Sequence, residues 1–140
     1  MILIDTNVVS ELMRPEPAPA VLAWFGTLDA TALHLSAVSE GELRRGAGII
    51  PVGRRRNRLI RAIDAMITED FAGRVLPFDS EAAVAFAAIS VGRRAAGRPI
   101  SLPDCQIAAT ARAHGAAIAT RNVGDFAGCG IEVIDPWGQA

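Results

Sequence analysis

Apolar residues fall along this chain either in short unbroken runs or in longer stretches that repeat at helical spacing. Met1 to Ile4 is a run of the first kind, ended by Asp5-Thr6-Asn7, which predicts a buried strand leading into a helix cap. Val8 to Met13 then predicts a short helix, stopped by Pro15, Pro17 and Pro19. Pro19 to Leu28, carrying Val21, Leu22, Trp24 and Phe25, fits a second helix. Leu33 to Leu35 reads as a strand and Ala37 to Gly46 as a helix closed by glycines. The clearest periodicity is in Asn57 to Phe71, where Leu59, Ile60, Ile63, Ile67 and Phe71 form a stripe. Arg74 to Phe78 is a further strand, and Asp79 or Ser80 caps a helix over Glu81 to Ala96. Ser101 caps a last helix that reaches His114, with Gly115 at its end. Ala116 to Ala119 and Glu132 to Ile134 complete a set of about five strands. Short apolar strands alternating with helices predict a three-layer α/β/α fold around a mainly parallel sheet, in one domain over 1–140.

Composition narrows the class. With 140 residues, 51% hydrophobic and 21% charged, the chain can bury a core and is not of disordered composition. No apolar run reaches the ~20 residues that span a bilayer. The start lacks a basic leader region, so the expected location is the cytoplasm, with no membrane partner. Cys105 and Cys129 make no disulfide framework. The net charge of −1 gives no bulk basicity to suggest nucleic acid, so the placement of charge matters more than its sum. All 14 basic residues are arginine, and every function that needs a lysine is thereby excluded.

Parallel sheets place their sites beyond the carboxyl ends of the strands. Asp5 follows the first predicted strand, and Asp125 lies just past the fourth, after Thr120-Arg121-Asn122. Asp104 is in the first turn of its helix. Within the third helix two glutamates compete. At ~100° per residue, with Val38 at zero, Glu42 falls near 40°, Leu43 near 140° and Glu40 near 200°. That wheel points Glu42 inward and Glu40 outward. Each acid also has a plain structural reading: Asp5 and Asn7 as helix caps, Asp104 paired with Ser101, Glu42 paired with Ser39, Asp125 as a turn residue. Their joint placement is what suggests a site.

These segments resemble a known family. Ile4-Asp5-Thr6-Asn7, Gly41-Glu42-Leu43-Arg44-Arg45-Gly46, Pro103-Asp104-Cys105-Gln106-Ile107-Ala108-Ala109 and Thr120-Arg121-Asn122-Val123-Gly124-Asp125-Phe126 look like the four motif blocks of the PIN domain. Their order and spacing are most similar to VapC toxins of bacterial toxin–antitoxin pairs, in the FitB-like branch. The resemblance implies a ribonuclease dependent on Mg²⁺ or Mn²⁺, an RNA substrate, homodimerisation and inhibition by a VapB-type antitoxin, with DNA reached only through that antitoxin. It implies that Asp5, Glu42, Asp104 and Asp125 are the acidic site and metal ligands, supported by Thr6, Asn7, Thr120 and Asn122. Beside Glu42, Glu40 stands where the family segment is usually apolar.

Oxygen donors suit a hard divalent cation, which would relieve the repulsion among clustered carboxylates. RNA phosphates call for guanidinium groups, and Arg54, Arg55, Arg56, Arg58 and Arg61 form the main cluster, with Arg44, Arg45 and Arg121 nearer the acids. A solvated helix face is the plainer account of that cluster. A metal-free histidine mechanism has only His34 and His114 to draw on, and both sit where packing explains them. The absence of lysine removes a phospho-accepting signalling site and a Walker-type nucleotide site. Asn7 stands where a haloacid-dehalogenase-like phosphatase needs its second aspartate. The rival that survives is a PIN-like module that binds antitoxin or RNA without cutting. Dimerisation is expected through the apolar faces of the first helices or of Asn57 to Phe71.

Overall fold

Strands built from unbroken apolar runs have no wet face to offer, and here they are covered on both sides. The computed structural model describes residues 1–138. Strands β1 (Ile2–Ile4), β2 (Leu33–Ser36), β3 (Val75–Leu76), β4 (Ala117–Ala119) and β5 (Val133–Ile134) pair in the order β3-β2-β1-β4-β5. Every described pairing is parallel, so the expected mainly parallel sheet is wholly so among the described residues. Among the described residues six α-helices connect them: α1 (Thr6–Leu12), α2 (Pro19–Gly26), α3 (Ala37–Gly48), α4 (Arg54–Ala65), α5 (Ser80–Ala95) and α6 (Leu102–Ala113).

Successive side chains of a strand face opposite ways, and the two layers of the core follow from that alternation. Leu3 and Ile118 point to one face, where Ile89, Cys105, Ile107, Ala108 and Phe126 pack from α5, α6 and the loop beyond β4. Ile4 and Ala119 point to the other, against Val8, Val9, Trp24, Leu43, Ile63 and Phe71 from α1 to α4 and the turn that follows. Each fully buried Ile or Leu in these layers contributes about 1.5–3 kcal/mol. The register places Ile2, Leu3 and Ile4 of β1 beside Ala117, Ile118 and Ala119 of β4.

Several boundaries differ from expectation: α2 stops at Gly26, α3 runs on to Gly48, β3 is shorter than Arg74 to Phe78, and two changes fall in α4. α4 begins at Arg54, capped by Gly53, rather than at Asn57. Its predicted tail, Met66–Asp70, widens into a π-helical turn that ends at buried Phe71. Among the described residues no helix is long and apolar enough to cross a membrane.

Candidate active site at the carboxyl edge of the sheet

β1 lies between β2 and β4, and the chain winds away from it in both directions, so the switch point of the sheet lies at its carboxyl end. Asp5 occupies that point, 5% exposed. Its backbone N–H continues the ladder to the Ala119 carbonyl at 2.9 Å. Its side chain caps α1, with Oδ1 accepting the Thr6 N–H at 2.8 Å. The cap reading from sequence is therefore correct, and it uses only half of the carboxylate. Oδ2 accepts the hydroxyl of fully buried Thr120 at 2.8 Å. Thr120 Oγ1 in turn accepts Asn122 N–H at 3.0 Å and Asn7 Nδ2 at 3.4 Å, while Asn7 Oδ1 accepts Arg121 N–H at 3.3 Å. With its lone pairs engaged, the Thr120 hydroxyl has its proton free for Asp5. Thr6, Asn7, Thr120 and Asn122 thus form one connected net around a single acid.

Burial pushes the Asp5 carboxyl above its ordinary value; the bonds from Thr120 and Thr6 oppose this, and the charges of Asp104 and Glu42 add to it. Asp104, half-buried in the first turn of α6, is also raised, first by burial and then by Asp125, against the pull of Ser101 and Arg93. Asp5 therefore feels Asp104 and Glu42, and Asp104 feels Asp125. The structure brings the four acids of the sequence reading to one edge. Among the described residues no three His, Cys, Asp or Glu side chains close up as a metal-sized cluster, so the set is open rather than a finished cage.

Glu42 is not the inward-facing residue that the helical wheel placed in the core. Ser39, Leu43 and Ala47 take the buried stripe of α3, and Glu42 is exposed. It flanks the site all the same: its Oε1 accepts the Thr6 hydroxyl at 3.0 Å. Glu40 is the more covered of the two, held by Arg44 Nε at 2.8 Å. The cap of α3 is Ser36, which accepts Ser39 N–H, so the suggested Ser39–Glu42 pair is absent. In α6 the Ser101 cap is present, with Oγ accepting Asp104 N–H at 3.3 Å. Asp125 is exposed in the 3₁₀ turn Val123–Phe126. His34 and His114 are bound locally to the carbonyls of Ala32 and Thr110, as a packing role requires.

The arginines divide. Arg44 is fastened to Glu40 at 2.8 Å and Asp64 at 2.7 Å, tying α3 to α4. Arg55 and Arg58 line a groove of about 710 Å³ between α1, α3 and α4, together with Thr6, Arg14 and Glu42. This groove flanks the acidic edge without containing Asp5, Asp104 or Asp125. Arg45, Arg54 and Arg61 are exposed elsewhere on α3 and α4, and Arg56 is partly covered. Arg121 stacks over Trp137, 4.9 Å from the ring centre, directly after Thr120.

One residue escapes the sequence reading. Arg93 is 7% exposed and on the buried stripe of α5 with Ala82 and Ile89. Its Nη1 donates to the carbonyls of Asp125 and Ala127, both at 2.9 Å. A charged side chain at an apolar helical position is the signal that could have found it.

The PIN domain model matches residues 2–127.

The chain belongs to the PIN-domain family.

Among curated PIN-domain relatives, it is 41% identical over 140 residues to the VapC ribonuclease Y4jK of Sinorhizobium fredii, covering 100% of both chains. It is 40% identical over 137 residues to the toxin FitB of Neisseria gonorrhoeae, covering 98% of this chain and 99% of that one. The crystal structure of FitAcB from Neisseria gonorrhoeae superposes with a TM-score of 0.93 at 40% identity, over 99% of this chain and 100% of that one. The PIN-like α/β/α architecture expected from the motif blocks is thus the one observed.

Proposed function

We propose that this PIN domain is an endoribonuclease dependent on Mg²⁺ or Mn²⁺ and the toxin of a toxin–antitoxin pair, held in check by a VapB-type antitoxin. The observation that carries this reading is the Asp5 carboxyl, buried at the switch point between two donors and facing further acids. An acid held there against its own desolvation is a costly arrangement that a capping role alone does not require. Relatives of full length named as ribonuclease and toxin support the reaction and the biological role.

The donor set fits a hard cation. It is made only of oxygens and its members repel one another, as suits an ion that keeps waters and takes one or two carboxylates. Asp5 and Asp104 would be the principal ligands, with Glu42 and Asp125 binding directly or through water. A bound divalent ion supplies an activated water and neutralises charge at the scissile phosphorus. The chain's own residues do the rest. Thr120 and the Thr6 N–H fix the orientation of the Asp5 carboxylate, and Asn7 locks Thr120 to the segment carrying Arg121. Arg121, steadied on Trp137, and Arg55 and Arg58 in the adjoining groove are placed to hold RNA phosphates. The cuts would leave 5′-phosphates and 3′-hydroxyls.

A second copy of the chain is proposed to cover the outer face of α5, where Val84 and Val91 are 72% and 68% exposed. The expectation from sequence is the first helices or Asn57 to Phe71; within the latter stripe Ile63 and Phe71 are buried in the core. Contact with DNA would come only through the antitoxin.

Digestion of total RNA with and without chelator, followed by end-sequencing of the fragments, tests the reading. Cleavage restored by Mg²⁺ or Mn²⁺ and lost in Asp5→Asn is expected. Metal-independent behaviour unchanged in that variant would show a binding module instead.

A further inference from the structure

A guanidinium buried to 7% exposure without a carboxylate within ion-pairing distance is an expensive group to keep. Among the described residues Arg93 forms no such pair, and its donors go instead to main-chain oxygens: Asp125 and Ala127 at 2.9 Å from Nη1, and Arg98 at 2.6 Å from Nε. Nη1 also reaches Cys129 Sγ at 3.7 Å. Arg98 works from the outside, its Nη2 donating to the Gly124 carbonyl at 3.3 Å. Gly128, at φ +74°, turns the loop over the Arg93 stem, with Cδ 3.9 Å from where a Cβ would stand. One end of α5 thus grips the segment that follows β4 from both sides. Apart from buried Phe126, that segment is an exposed 3₁₀ turn with local backbone bonds.

We infer that Arg93, assisted by Arg98, is the positioning residue of the Asp125 segment, fixing where the fourth acid stands relative to Asp104. The inference rests on the proposed nuclease reading for its effect on rate, and on geometry alone for its effect on the loop. Arg93 touches no substrate; it acts through Asp125.

The test is a double-mutant cycle between Arg93→Lys and Asp125→Asn in the full chain, with amide hydrogen exchange on the same proteins without metal. Arg93→Lys keeps the charge and loses the fork. It is expected to lower kcat by about 10- to 100-fold, with KM within about twofold, and to add nothing further in the Asp125→Asn background. Amides of Asp125 and Ala127 should exchange faster while those of α6 do not change. Arg98→Ala, at an exposed position, should reproduce a smaller part of both effects should the Arg93 variant fail to fold. The inference is overturned if Arg93→Lys lowers kcat by the same factor in both backgrounds, or if Asp125→Asn leaves kcat unchanged. Unaltered exchange in both arginine variants overturns it as well. A wild-type protein that cuts no RNA would sink the nuclease reading separately, and hydrogen exchange would still decide whether the grip exists.

Discussion

Thr120 and Asp5 lie 115 positions apart in sequence, yet the threonine hydroxyl donates to Asp5 Oδ2 at 2.8 Å in a fully buried setting. The bond crosses the seam between β4 and β1, just past their last paired residues, Ala119 and Ile4. Replacing Thr120 by Val would strip Asp5 of its partner and leave the Asn122 N–H and Asn7 Nδ2 without an acceptor. A loss of about 1–3 kcal/mol in stability is expected, with RNA cleavage slowed about 10- to 100-fold. Thr120→Ser, which keeps the hydroxyl, should retain most of both. Thermal melting and single-turnover cleavage rates check this; equal damage from both substitutions would refute it.

Asp104 offers a prediction in pH. Its folded pKa is raised above the ordinary 3.8, so in the window above 3.8 the folded chain holds a proton that the unfolded chain releases. Stability therefore falls as pH rises through that window, and the deficit persists above it. Asp104→Asn removes the deficit. Without metal the variant should melt higher than wild type at neutral pH. The difference should vanish near pH 3. Saturating Mg²⁺ should shrink or reverse it by stabilising the wild type alone. Cleavage should fall by at least about 100-fold. Melting curves across pH, with and without Mg²⁺, decide the matter.

Arg44 and the pair Arg55 and Arg58 should separate cleanly. Arg44 already carries Glu40 and Asp64, so Arg44→Ala should cost about 0.2–1 kcal/mol of stability and leave RNA affinity near wild type. Arg55→Ala with Arg58→Ala should spare stability and weaken RNA binding. The slope of log affinity against log salt should drop by about 0.7 for each phosphate that is no longer neutralised. Binding measured at several salt concentrations would expose an error if the two sets behaved alike.

On α5, Val84→Glu and Val91→Glu place charges on the face assigned to a second copy. Light scattering should show dimer for wild type and monomer for the double variant, with the melting temperature of the monomer largely kept because neither side chain belongs to the core.

Much of the fold is legible in the residues because strands in a two-sided sheet announce themselves as unbroken apolar runs, and all five stand where expected. Asp5, Asp104 and Asp125 can be found because strand ends and helix starts follow directly from those runs. Glu42 is misdirected because the wheel takes Val38 to Leu43 as the apolar face, whereas small Ser39 and Ala47 mark the buried stripe with Leu43. The start of α4 is set late because three successive arginines show no amphipathic period, although all lie in the helix. Arg93 is passed over for the opposite reason: a cation on an apolar stripe reads as a solvated end of α5 until the loop that it grips is seen. The ties of Arg44 are hidden for a tertiary reason, since its partner Asp64 lies 20 positions away.

The strand order has a bearing on synthesis. β4 inserts beside β1, so Asp5 meets Thr120 only once the ribosome has delivered the chain through the fourth strand. Until then the emerging chain carries Asp5, Glu42 and, late on, Asp104, but neither Asp125 nor the hydroxyl that orients the first. On the proposed nuclease reading, a product abandoned midway through translation lacks the assembled site and would not cut RNA.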